Sequence, residues 1–285
     1  MRYEAPGSVD EAVTLLADAN GAARILAGGT DLLVQLRAGL ISPDIVVNIK
    51  NISETQGITA DGDGFCIGAS VSGAEMGENE ALTSAWPGVV EGTELIGSTQ
   101  IQSRATMAGN LCNASPAADS VPALIAAGAT CTIVGPDGRR EALVADIPTG
   151  PGQTSLGNGE FVVNFKLPAR PANASDAYLR MIPRTEMDIA IVGAGVNLVL
   201  ASDGTCTEAC VVLGAVGPTT ITVADAAAAL IGSKVDDNAL AAVKNASSAA
   251  ATPIDDKRGT VEYRTKVAGV LAARAAAIAA DRARS

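Results

Sequence analysis

The sequence predicts a mixed α+β chain organised in successive units, and three observations carry that expectation. A strand–glycine–helix corner occupies residues 24–39, and strand-like runs around "DGDG" open a second unit near residue 57. A change of texture near residue 175 then introduces consecutive strand-like runs followed by Ala-rich helices. A length of 285 residues is a prior for about two compact units.

The elements follow in order. Residues 9–19 (VDEAVTLLADA) carry apolar side chains at helical spacing. Arg24–Ala27 reads as a short strand, Thr30–Arg37 as a helix ending near Gly39, and 44–49 (DIVVNI) as a strand, which makes a βαβ-like opening unit. "GITADGDGFCIGAS" reads as a hairpin, with "DGDG" between its strands. Helical stretches are expected at 73–83 and 88–96. A "MAGN" turn and an "ASPAAD" loop lead into a helix at 120–127. A strand at 129–134, a "PDG" turn and a strand at 159–168, closed by Pro168, complete this unit. Pro171 to Ser175 is the candidate linker. Beyond it, "AYLRMI", "MDIAIVGAGVNLVL" and "ACVVLGAVG" read as strands, with a helical start near 188–192 left open, and helices close the chain near 223–231 and 261–283.

Composition excludes several functions. The chain is 48% hydrophobic but only 2% aromatic, so its cores are built from Ala, Val, Leu and Ile. A net charge of −11 without a basic cluster argues against a nucleic-acid groove. No apolar run reaches the length of a membrane span, and "MRYEAPGSVDEAV" lacks the apolar core of a signal peptide, so a cytoplasmic location is expected. The five cysteines (Cys66, Cys112, Cys131, Cys206 and Cys210) are odd in number and scattered. They suggest reduced thiols and neither a disulfide framework nor a metal site. There is no histidine. That removes Ser-His-Asp and Cys-His catalysis, His-ligated metals and the commonest general base. A protein that holds a redox cofactor and passes electrons needs none of these.

Two stretches carry chemistry. In "RILAGGTDLLVQLRAG", Gly28 and Gly29 let other groups approach the backbone N–H donors, and Thr30 or Asp31 can cap the following helix. Such a corner can cradle an anion, or it can be an ordinary αβ turn, and this stretch alone leaves both open. The Asp31 charge disfavours a bare phosphate pocket unless it points outward. In "ATMAGNLCNASPAADS", Thr106 and Asn110 place short polar groups around Gly109, and Asp119 stands just before a helix. Alone, this is a polar loop that caps a helix. Together, two such loops from successive units suit an extended dinucleotide with a diphosphate and hydroxyls. By contrast, Gly193-Ala194-Gly195 lacks the third glycine and the following helix of a dinucleotide fingerprint, and reads as a strand with small residues.

"ILAGGTDLL", "ATMAGNLCNASPAADSVPAL", "GEFVVNFKLP" and "IPRTEMDIAIVGAGV" resemble, in order and spacing, the FAD-binding medium subunit of the molybdenum hydroxylases, the group of the carbon monoxide dehydrogenase medium chain and xanthine dehydrogenase. The resemblance covers nearly the whole chain. It implies an α+β fold of two FAD-binding subdomains (PCMH-type), at 1–55 and 56–172, followed by a smaller C-terminal α/β domain at 176–285. It implies that Arg24, Ile25, Leu26, Ala27, Gly28, Gly29, Thr30, Asp31 and Leu32 wrap the FAD pyrophosphate. Thr106, Met107, Ala108, Gly109 and Asn110 would contact the diphosphate and ribityl side, Asp119 would accept from FAD hydroxyls, and Ile96, Val162 and Arg180 fall at further contact positions. Ala108 stands where the family usually has glycine; if that position needs positive φ, the methyl costs about 1 kcal/mol or more.

The resemblance also implies partners: a large molybdenum-cofactor subunit and a small subunit with two [2Fe–2S] clusters, in a dimer of heterotrimers. Electrons would pass from the clusters through FAD to an external acceptor, and this chain would carry no catalytic acid–base residue. The competing reading is a self-contained FAD oxidase or reductase on the same fold. With no histidine and no cysteine in an attachment motif, the flavin is expected to be non-covalent. Acid or heat should therefore release FAD intact, and flavin that stays with the denatured polypeptide in a gel would contradict this.

Overall fold

The computed structural model describes residues 1–19 and 21–285. The first unit is β1 (Arg2–Glu4), α1 (Val9–Asp18), β2 (Ala23–Leu26), α2 (Leu32–Arg37) and β3 (Ile45–Asn48). The strands form a parallel sheet in the order β1-β3-β2. All four residues of the central strand are buried, as a parallel strand between two neighbours requires. Ser8 caps α1 by accepting from the Glu11 N–H, and Val9, Ala12 and Leu16 form its buried stripe.

The second unit opens with β4 (Ile58–Asp61) and β5 (Gly64–Gly68), the expected hairpin, turned at Gly62 with φ +59°. Six helices follow: α3 (Gly73–Glu78), α4 (Glu80–Ala85), α5 (Pro87–Glu94), α6 (Thr99–Gln102), α7 (Met107–Cys112) and α8 (Ser120–Ala126). The single helix expected over 73–83 is broken. Asn79 leaves helical geometry, ends α3 and caps α4 by accepting from the Leu82 N–H. "MAGN" is likewise no turn, since Thr106 caps it as the start of α7. The unit then adds β6 (Thr130–Gly135), β7 (Gly138–Leu143), a small hairpin of β8 (Pro148–Gly150) and β9 (Gln153–Thr154), and β10 (Phe161–Leu167). Its antiparallel sheet runs β4-β5-β10-β6-β7. Strand β7 was not anticipated, because "GRREAL" is an exposed edge that shows charge in place of apolar alternation.

The third unit is an antiparallel sheet of β11 (Ala174–Met181), β12 (Val192–Leu200), β13 (Cys206–Gly214) and β14 (Ile221–Thr222), in that order. It carries α9 (Ala224–Leu230), α10 (Asp237–Ala250) and α11 (Val261–Arg284). Residues 188–190 are irregular and lead directly into β12, so no helix starts there. Helix α10 was also not anticipated: its buried stripe of Ala239, Val243 and Ser247 falls at helical spacing but is built mostly of small residues. Alanines on α11 (Ala272, Ala276 and Ala280 among them) are fully buried against β11 and β12. Gly269 lets α10 approach so closely that a Cβ there would meet the Lys244 carbonyl oxygen at 2.2 Å.

Small residues also join the third unit to the second. Helix α8 lies across β12 and β13, and α5 lies on β11. A Cβ on Gly195 would come within 2.7 Å of the Pro122 carbonyl oxygen, and one on Gly214 within 2.8 Å of the Pro122 ring. Both glycines of "GAG" are thus strand residues in close contact: another backbone rests on Gly195, and the Tyr178 side chain lies against Gly193. Polar clamps cross the same seam. Buried Asp176 accepts from the Val89 N–H at 3.1 Å and from Arg170 at 2.7 Å. The Arg170 guanidinium lies 3.7 Å over the ring of Trp86, which is also buried. Glu91 accepts from the Tyr178 N–H at 3.0 Å and pairs with Arg282. Gly195→Ala should destabilise the chain by about 1–3 kcal/mol, the usual cost of one methyl forced into a packed core. Chemical denaturation measures it, and an unchanged unfolding free energy would refute the close approach.

Candidate functional site: a cleft between two glycine turns

Strand β2 ends at Leu26, and Ala27–Asp31 turn the chain into α2. The two glycines of the turn serve different needs. Gly29 has φ +81°, a left-handed conformation that glycine adopts without strain. Gly28 lies against the second unit: a Cβ there would sit 1.9 Å from the Arg104 carbonyl oxygen. The bare corner at Gly28 is therefore required first by the protein's own packing. The turn nevertheless presents donors. Among the described residues, the N–H groups of Gly28, Gly29, Thr30 and Asp31 meet no protein acceptor. Consecutive free N–H groups of this kind form an anion-binding concavity. The Lys50 ammonium donates to the Ala27 carbonyl at 2.9 Å and to Asn48 Oδ1 at 2.6 Å, which fixes the entry to the turn. Burial, with Arg104 nearby, holds that ammonium below the usual lysine range.

The second turn faces the first. Thr106 Oγ1 accepts from the Gly109 N–H at 3.0 Å, and the Ala105 carbonyl accepts from the Gly73 N–H at 2.9 Å. Ala108 lies inside α7 and is absent from the positive-φ residues, so its methyl carries none of the strain that a left-handed site would impose. A Cβ on Gly109 would meet only Thr106 Oγ1, at 3.2 Å, and is otherwise unobstructed.

Between the turns lies a cleft of about 750 Å³, inside the range of about 300–1,000 Å³ usual for small-molecule and cofactor sites. Of the residues expected at the site, Arg24, Ile25, Ala27, Gly28, Gly29, Thr30, Asp31, Leu32, Ile96, Thr106, Ala108, Gly109, Asn110 and Val162 line it. Four do not. Leu26 lies outside the lining, and Met107 is buried in the core. Asp119 is engaged elsewhere. Its carboxylate neither caps α8 nor reaches the cleft; it accepts from Tyr178 Oη at 2.9 Å and from Arg180 at 2.7 Å. Arg180 is committed to this buried pair and also lies outside the lining. Burial pushes the Asp119 carboxyl up to about 6, against the opposing pull of Arg180 and the Tyr178 hydroxyl.

One wall was missed by sequence reasoning: Gly152, Thr154 and the run from Leu156 to Phe161. Glycine and asparagine in "SLGNGEF", just before a buried strand, are the signal that could have marked it. Gln35, Cys112 and Asn113 also line the cleft, and Gln35 Nε2 donates to Asn113 Oδ1 at 3.1 Å from the first unit to the second. Burial pushes the Cys112 thiol up to about 12, which keeps it protonated and unreactive. Among the described residues, no group of three or more Cys, Asp or Glu is placed to hold a metal ion, and no helix is long and apolar enough to cross a membrane.

Free backbone donors on the first turn, an unobstructed Gly109 on the second and an apolar wall with Ile96 and Val162 together fit a dinucleotide that has a diphosphate and a flat apolar ring. The comparisons agree. Residues 1–170 match the family described as "FAD binding domain in molybdopterin dehydrogenase". Residues 177–279 match "CO dehydrogenase flavoprotein C-terminal domain". The chain is 31% identical to the carbon monoxide dehydrogenase medium chain of Afipia carboxidovorans, over 99% of this chain and 98% of that one. It is 33% identical to the putative xanthine dehydrogenase FAD-binding subunit of Escherichia coli, over 77% and 75%. The crystal structure of cyanide-inactivated Cu,Mo-CO dehydrogenase superposes with a TM-score of 0.94 at 31% identity, covering 99% of this chain and 98% of that one. Quinoline 2-oxidoreductase from Pseudomonas putida gives 0.92 at 27% identity, over 100% and 98%. The fold and the cleft thus define an FAD-binding oxidoreductase subunit. The chain belongs to the family of FAD-binding medium subunits of the molybdenum hydroxylases, together with the carbon monoxide dehydrogenase medium chain and the xanthine dehydrogenase FAD subunit.

The two glycines should separate packing from ligand approach. Gly28→Ala is expected to lower the melting temperature and the FAD content together, because the Arg104 backbone must move. Gly109→Ala should change stability by no more than about 0.5 kcal/mol while lowering FAD content. Equal melting temperatures for the two variants would refute the assignment of Gly28 as a packing residue.

Proposed function

We propose that this chain is the electron outlet of a molybdenum hydroxylase complex, holding FAD non-covalently between [2Fe–2S] clusters on a partner subunit and an external acceptor. The observation that carries the reading is the pair of turns that line one cleft, the first with free N–H donors and the second with Thr106, Gly109 and Asn110. The first turn receives the pyrophosphate on the N–H groups of Gly28 through Asp31. The second, from Thr106 to Asn110, meets the diphosphate and ribityl side, while Ile96 and Val162 give the ring an apolar surface. Bound FAD supplies one- and two-electron redox chemistry. The protein's part is to bind and orient it. The absence of histidine supports that division, because it removes the commonest general base and His-ligated metals, and among the described residues no group of three or more Cys, Asp or Glu is placed to hold a metal ion.

The partners in this reading are a large subunit with the molybdenum cofactor and a small subunit with two [2Fe–2S] clusters, assembled as a cytoplasmic dimer of heterotrimers. Residues 1–55 and 56–172 act as the two FAD-binding subdomains, and 176–285 as the C-terminal domain. The substrate and its oxidation lie on another chain. Purification of the native complex, with metal analysis and identification of the co-purifying chains, tests the assembly. The isolated chain with FAD should turn over no hydroxylase substrate, whereas its FAD should be reduced by substrate in the complete complex in a rapid-mixing experiment. Turnover by the isolated chain would favour a self-contained flavoenzyme instead.

A further inference from the structure

We propose that Ser120 is a positioning residue that turns the Asn110 side chain so that its amide N–H donors face the cofactor cleft. Asn110 lies on α7 and lines the cleft, whereas Ser120 is fully buried at the start of α8. Two donors converge on Asn110 Oδ1: the Ser120 backbone N–H at 3.1 Å and the Ser120 hydroxyl at 2.8 Å. A backbone N–H can only donate. It therefore fixes which end of the Asn110 amide is oxygen, and the opposite end must be the NH2 group. Among the described residues that Nδ2 has no protein partner, and it is not among the buried unsatisfied atoms. It is an oriented donor at the cleft. The neighbouring Gln35–Asn113 pair has no such anchor, because two amides facing each other can exchange roles.

The same contact settles a structural need. Asp119 does not cap α8, since its carboxylate is spent on Tyr178 and Arg180. Asn110 Oδ1 takes the first free N–H of that helix instead. One side chain thus caps α8 with its oxygen and offers its nitrogen to an acceptor oxygen of the dinucleotide. Ser120 touches no cofactor itself and acts only through Asn110.

The inference rests on the FAD reading, and titration of the flavin-free full chain with FAD tests the two separately. Asn110→Ala removes the donor without adding charge and should weaken FAD binding about tenfold. Asn110→Asp keeps an acceptor for Ser120 but no donor; it should weaken binding at least as much while leaving the melting temperature of the flavin-free chain at or above the wild-type value. Ser120→Ala should weaken binding several-fold in the wild-type background and no further in the Asn110→Ala background. A Ser120→Ala variant with unchanged affinity, or with an equal loss in both backgrounds, overturns the positioning role while FAD binding stands. A wild-type chain that takes up no FAD overturns both.

Discussion

Everything at the cleft depends on one contact between two backbones. The Gly28 Cα rests against the Arg104 carbonyl with no room for a methyl group. This contact sets the first turn beside the second and brings donors from two separately built sheets to one site. The parallel sheet of the first unit and the antiparallel sheet of the second share no strand. Their registers are set independently; a shared apolar core, with α1 against β6, and the approach of loop to loop relate them. Glycine at this point is a geometric joint, and the donors beside it are its functional product.

The second joint is broader and uses different physics. Helices α5 and α8 meet the third sheet where Gly88, Gly195 and Gly214 leave space, and buried charges pin the contact. Asp119 and Asp176 both sit where burial pushes a carboxyl up to about 6. Each is held by an arginine, Arg180 or Arg170, and by further donors. Removing one member of such a buried pair leaves an uncompensated charge. This polar seam gives a structural role to Asp119 and Arg180, which the family resemblance associates with the ligand. Both are buried polar residues near the site, and only three-dimensional placement separates a residue in the cleft from one behind it.

Much of the architecture was legible because local chemistry and tertiary need agree. "DGDG" between strand-like runs makes the hairpin, apolar residues at helical spacing over 9–19 make a striped helix, and "GAG" without a third glycine is a strand. The glycine turns were legible as a pair, and 14 of the expected site residues line the cleft. The failures have specific causes. Asn79 splits a helix that periodicity alone would continue. The edge strand β7 is charged and shows no apolar alternation, and the stripe of helix α10 is built mostly of small residues, so its period is faint in the sequence. The wall at 152–161 comes from a segment whose partners lie far away in sequence, so its role was visible only after folding. Ser120 looked like an ordinary first residue of a helix, and nothing local linked it to Asn110.

The alanine-built interior leaves the chain with a single tryptophan. That residue, Trp86, is buried under Arg170 at the seam that joins the third unit to the second. Its indole N–H has no hydrogen-bond partner among the described residues. Intrinsic fluorescence excited through tryptophan therefore comes from one place. Water reaching the indole would move the emission to longer wavelength as the seam opens, while the flavin's own spectrum follows the cleft. The sequence thus provides two separate optical channels, one for each joint of the fold, with no label added.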